Sequence, residues 1–126
     1  MSVEFDAFCK VANQEIPVKL YYSSDDPATV FFTFHNVGQR NTSPKWIFAR
    51  DLVKEALETG DAGEGDVRVE AEQNTVMFWF SSPEGDAMAS FERPVIEEFV
   101  EFVYDEVPEG EDHYEIPDEF PEEWLV

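Results

Sequence analysis

Two histidines, one cysteine and 29 carboxylates are the residues of this chain with which chemistry could be done. His35 has no cysteine or acid beside it at metal-ligand spacing, and reads as a core or surface imidazole. His113 lies in EDHYE, Glu111 to Glu115. A carboxylate-rich loop around one imidazole takes a metal only weakly, and a solvated charge run is the plainer reading. DAGEGD, Asp61 to Asp66, has the acids and glycines of a calcium loop but not the ladder of ligands that ends in a bidentate glutamate. With so many acids, no single pair singles itself out for glycoside hydrolysis. The chain has no G-x-S-x-G, no H-E-x-x-H and no phosphate-cradling glycine loop. The expectation is a protein without catalytic residues, cofactor or metal, and not an enzyme.

Cys9 cannot form an intrachain disulfide, because it is the only cysteine. It alternates in register with Val3, Phe5, Ala7 and Val11, as a small core hydrophobe does.

Electrostatics narrows the partners. The net charge is −21, and the eight basic residues are scattered, with none after Arg93. Binding a polyanion requires basic neutralisation, which this chain does not supply. Nucleic acid and anionic lipid are therefore disfavoured, and proteins are the expected company. No apolar run approaches the length of a membrane span, and no basic segment precedes an apolar one. The expected location is the cytoplasm, without direct membrane insertion.

The elements that must position these residues follow from periodicity. Residues 3–11 alternate as a half-buried strand, and Ile16, Val18, Leu20 and Tyr22 share one face of a second. Val30, Phe32 and Phe34 mark a third, after the turn cluster SSDDP. Asn36 to Pro44 reads as a loop and Lys45 to Phe48 as a short strand. From Ala49 the period changes: Ala49, Leu52, Val53, Ala56 and Leu57 form a helical stripe, with Arg50, Asp51, Lys54, Glu55 and Glu58 on the polar side. Thr59-Gly60 stops this helix, and DAGEGD reads as a loop. Strands are predicted at 67–71, 76–80 and 87–91, and a second helix from Pro94 carries Val95, Ile96, Phe99, Val100, Phe102 and Val103. The fold class is α+β: one β-rich domain, 1–107, of two antiparallel sheet halves each followed by a helix. An acidic tail, 108–126, packs on the domain or extends from it.

Phe31 and Trp79 are aromatic on what should be the wetter face of their strands. A sheet that is apolar on both sides needs a cover, so both are placed on an oligomer or helix-packing face. The alternative is a single-stranded nucleic-acid binder stacking bases on these rings, which the charge disfavours. WIFARDL, Trp46 to Leu52, is read as a structural joint between strand and helix, with Arg50 and Asp51 free to fix the joint or to meet a partner.

DDPATVFFTFHN (25–36), WIFARDLVKEAL (46–57), GDVRV (65–69) and SSPEG (81–85) together resemble segments of the SsgA-like proteins of actinobacteria, nearest the SsgB type. The resemblance covers residues 3 to 112, and the succession FARDL, GDVRV, SSPEG is its specific part. It implies a cytoplasmic, non-enzymatic accessory of sporulation and cell division, recruited to the septum. It implies a whirly-like fold assembled as a trimer. The implied partners are the tubulin-like ring protein FtsZ or another SsgA-like protein. The motif positions it draws attention to are Trp46, Phe48, Arg50, Asp51, Asp66 and Arg68, without an assigned role. The tail after Pro108 is more acidic than the family pattern suggests.

Overall fold

The computed structural model describes residues 2–35, 44–83 and 85–111. His113, most of the acidic tail and most of the Asn36–Pro44 loop lie outside the described residues. The first half of the chain gives β1 (Ser2–Val11), β2 (Gln14–Ser23), β3 (Thr29–Phe34), β4 (Lys45–Ala49) and α1 (Arg50–Thr59). The second gives β5 (Asp61–Glu64), β6 (Val67–Ala71), β7 (Thr75–Ser82), β8 (Gly85–Glu92) and α2 (Arg93–Glu106). Two β-rich halves, each closed by a helix, are thus what the alternation predicts.

The eight strands among the described residues join one antiparallel sheet in the order β4-β3-β2-β1-β8-β7-β6-β5. Each half is a meander of consecutive strands, and β1 with β8 makes the seam between them. The sheet curls so that its two halves face each other. Phe32 of β3 meets Phe78 of β7 at 5.0 Å between ring centroids, and Trp46 of β4 stacks on Phe80 of β7 at 4.6 Å. Phe48, Phe91 and Phe99 close around Phe32, at 4.9, 5.6 and 6.2 Å. Aromatic pairs in such edge-to-face geometry add to the stabilisation from area buried.

The alternation has a direct physical result. Val30, Phe32 and Phe34 of β3 and Val76, Phe78 and Phe80 of β7 are all buried on the concave side. Their strand neighbours Phe31 and Trp79 must point to the convex side. α2 packs on the opposite, concave side, where its Phe99 meets Phe32.

Two local readings need correction. DAGE is a strand, β5, hydrogen-bonded in register to β6, with Ala62 buried. It looks like a loop because an edge strand pairs on one side only and tolerates polar residues. The turn after β1 is tighter than the run Ala12 to Glu15 suggests: Ala12 and Asn13 alone form it, both left-handed, with φ of 51° and 67°. That is the geometry of a two-residue hairpin whose twist matches its strands. α1 ends as expected at Gly60, left-handed with φ of 96°.

Candidate protein-interaction site

The joint at WIFARDL begins with Phe48, 7% exposed, and Trp46, which together tie β4 to β7 across the concave face. Ala49 is the extended residue before α1 and caps nothing with its side chain. The N–H of Arg50 donates to the Ala28 carbonyl at 2.9 Å, which fixes the angle at which the helix leaves the strand.

Arg50 is not on the polar side of α1. It is 1% exposed, the largest fully buried side chain among the described residues. Its Nη1 donates to the carbonyls of Val107 at 2.6 Å and Val103 at 3.5 Å and to Tyr22 Oη at 3.4 Å. Its Nη2 donates to the Pro108 carbonyl at 3.3 Å. The Tyr104 ring lies over the guanidinium, 4.1 Å from ring centroid to Cζ. α2 has no basic residue in its own last turn. A cation at a helix C-terminus meets the negative end of the helix dipole and the carbonyls left over there. Arg50 supplies that cation from the other helix.

The neighbours of Arg50 complete a clasp between the two helices. Tyr104 Oη donates to Asp51 Oδ1 at 2.6 Å. Lys54 Nζ pairs with Glu58 Oε1 at 2.7 Å and with Glu109 Oε2 at 3.0 Å. These two carboxylates, Glu58 first, push the Lys54 pKa above its ordinary value. Tyr22 Oη in turn donates to the Pro27 carbonyl at 2.8 Å. The start of α1, the end of β2 and the point where the chain leaves α2 are therefore one unit.

Asp66 and Arg68 sit elsewhere. Asp66 lies exposed in the β5–β6 turn, where its carbonyl accepts from the N–H of Ser81 at 2.8 Å. It lines, with Trp46, Ile47 and Phe48, a shallow pocket of about 320 Å³. Arg68 bonds Asp61 at both carboxylate oxygens, at 3.2 and 3.3 Å, and pairs with Glu70 at 2.9 Å. Of the six motif positions, Trp46 and Phe48 at the sheet closure share this pocket with Asp66, Arg50 and Asp51 lie in the clasp, and Arg68 stands apart on β6.

On the convex face, register sets Tyr21, Phe31 and Ile47 in one row across β2, β3 and β4. Phe31 is half-buried, its ring 5.7 Å from Tyr21 and 4.9 Å from the Lys45 ammonium. Trp79 is 39% exposed and lies between Arg68 and Met88 in register. Phe31 and Trp79 do not touch each other and sit on different halves of the sheet. Phe8, Ile47 and Phe102, at 61%, 57% and 45% exposure, were not singled out by sequence. The signal was present for Phe8, an aromatic ring among Glu4, Asp6 and Lys10. No group of three or more metal-binding side chains occurs among the described residues. No helix among them is long and apolar enough to cross a membrane.

A mostly β single domain with a curled antiparallel sheet and two closing helices is also the fold of solved SsgB-type structures. One, from Streptomyces coelicolor, comes from work relating mutations in SsgB to longitudinal cell division during sporulation. It superposes with a TM-score of 0.80 at 31% identity, covering 90% of this chain and 94% of that one. Another, the SsgA-like sporulation-specific cell division protein of Thermobifida fusca, gives 0.78 at 30% identity, covering 89% and 86%. The family described as Streptomyces sporulation and cell division protein, SsgA, matches residues 16–112. The sporulation-specific cell division protein SsgB of S. coelicolor is 36% identical over 102 residues, spanning 78% of this chain and 72% of its own length. The T. fusca SsgB is 35% identical over 98 residues, with 75% and 69% covered. The chain belongs to the SsgA family, and lies close to its SsgB members.

Proposed function

We propose that this protein is a non-enzymatic accessory of cell division and sporulation that acts by binding other proteins and helps to place the septum. Its partner is the tubulin-like ring protein FtsZ or another SsgA-like protein, and it works as a homotrimer recruited from the cytoplasm to the septum. Residues 1–107 are the binding domain, and 108–126 an acidic extension of it. The observation that carries this reading is the match to the S. coelicolor SsgB structure over 90% of the chain. The convex-face row of Tyr21 and Phe31, both half-buried, and exposed Ile47 supports it, since an apolar row that no helix among the described residues covers suits contact with protein.

Co-sedimentation with purified FtsZ polymers tests the partner. The full chain should pellet with polymers and stay in the supernatant without them. A chain that stays in the supernatant at every salt concentration would remove FtsZ as a direct partner. Light scattering tests the assembly: a mass of about three times that of the chain is expected, and a monomer would contradict it.

A further inference from the structure

β1 is paired with β2 along its full length, Ser2 to Val11, but among the described residues β8 bridges it only where Lys10 faces Ser90. In a two-residue hairpin the closing pair, Val11 and Gln14, exchanges both backbone bonds, and every second residue repeats this. The odd residues of β1 therefore spend their N–H and C=O groups on β2. Glu4, Asp6 and Phe8 turn theirs to the opposite edge. There β8 and the first turn of α2 veer away and leave a groove of about 680 Å³.

The groove has an apolar wall and an acidic rim. Phe5, Ala7, Phe91 and Val95 supply the wall; Asp6, Glu15, Glu92 and Glu98 stand against the single base Lys10. Phe8, 61% exposed, forms one lip. Phe102, 45% exposed, continues the apolar surface, its ring 5.4 Å from that of Phe5.

We propose that this groove takes an extended segment of a protein partner as an added strand on the edge of β1, and that the segment alternates apolar and basic residues. Strand addition draws affinity from main-chain bonds and specificity from alternate side chains. Apolar side chains of the segment meet the Phe5 and Val95 wall, and basic ones meet the acidic rim. The chain's own tail is the wrong sign, with no lysine or arginine after Arg93. A second β1 would bring Glu4 and Asp6 against like charges. The inference rests on the reading of the protein as a protein binder, and it names one surface and one class of sequence.

The test is a titration of the ¹⁵N-labelled full chain with a capped peptide of about seven residues alternating lysine and valine. Three controls run in parallel: a glutamate–valine peptide, a lysine–valine peptide with a central proline, and the chain alone at rising concentration. The lysine–valine peptide should shift the amides of Glu4, Asp6 and Phe8, and the proline peptide should fail. Phe8→Ser and Glu98→Lys, both surface changes, should each weaken binding by about tenfold. Four results would overturn the proposal: no binding; binding that leaves those amides unmoved; equal or tighter binding of the glutamate–valine peptide; or the same shifts on concentrating the chain alone. None of these outcomes depends on FtsZ, so this test and the co-sedimentation above can fail separately.

Discussion

Arg50 Nη1, at the first turn of α1, lies 2.6 Å from the carbonyl oxygen of Val107, the residue that ends α2. One guanidinium thus joins the two helices that close the two halves of the chain. It also fixes where the chain leaves the domain. A group this buried is stabilising only while its hydrogen bonds are in place, and removing it strands the carbonyls it served.

Arg50→Met keeps the volume and loses the donors. It should cost about 2–4 kcal/mol of unfolding free energy in urea. Arg50→Lys, which keeps the charge but not the forked geometry, should fall in between. A Met variant within about 0.5 kcal/mol of the wild type would mean the clasp contributes nothing.

The outer part of the clasp is exposed and should contribute less. Tyr104→Phe removes the bond to Asp51 Oδ1 and should cost about 0.5–1.5 kcal/mol. In a double-mutant cycle with Asp51→Asn, a coupling energy indistinguishable from zero would show that the two side chains act independently.

The sheet closure can be tested at two adjacent residues of β4. Phe48→Ala should cost about 3–5 kcal/mol, because Phe48 is 7% exposed among Phe32, Phe78 and Phe80. Ile47→Ala, at a position 57% exposed, should stay within about 0.5 kcal/mol. Reversed magnitudes would mean the register of β4 is displaced by one residue.

Cys9 gives a pH signature. Burial at 2% exposure pushes its thiol up to about 11. Its folded pKa is raised above the unfolded one, so its contribution is complete below about 8.5 and lost as pH rises toward 11. Cys9→Ala should cost about 1–2 kcal/mol near neutrality through the small cavity. Between pH 8 and 11 the gap between wild type and variant should shrink. A constant gap would show that the thiol does not titrate on unfolding.

The turn at Ala12 and Asn13 is legible as a turn, but its strain is not. Ala12 adopts φ of 51°, a region that costs a non-glycine residue about 1–2 kcal/mol. Ala12→Asn with Asn13→Gly, the pair that suits this turn, should raise stability by about 1 kcal/mol. A lower melting temperature would contradict the turn assignment.

Much of the fold was open to reading because alternation and helical spacing are local. Val30, Phe32 and Phe34 declare their face through their own sequence, and Gly60 declares the end of α1. The meeting of Phe32 with Phe78 could not be read, since the curl of the sheet depends on residues far apart in sequence. Arg50 was misplaced for the same reason. An arginine in a first helical turn usually faces water, and what buries it, Val103 to Pro108, lies more than fifty positions further on. A weak signal existed: Arg50 is three residues before Val53, at the edge of the buried stripe. β5 failed on composition, because glycine and acids disguise a strand that is hydrogen-bonded on one side only. Of the residues proposed for contact with other proteins, Phe31 and Trp79 announced themselves by breaking alternation. The open edge of β1 did not, because strand pairing is invisible in one strand's residues.

The most direct measurement follows a fluorescent fusion of this chain in Streptomyces coelicolor lacking its own SsgB. A division accessory of this family should gather at nascent sporulation septa, and the Phe8→Ser, Glu98→Lys double variant should gather less. Uniform fluorescence from a stable, full-length fusion, with no enrichment at septa, would contradict the account.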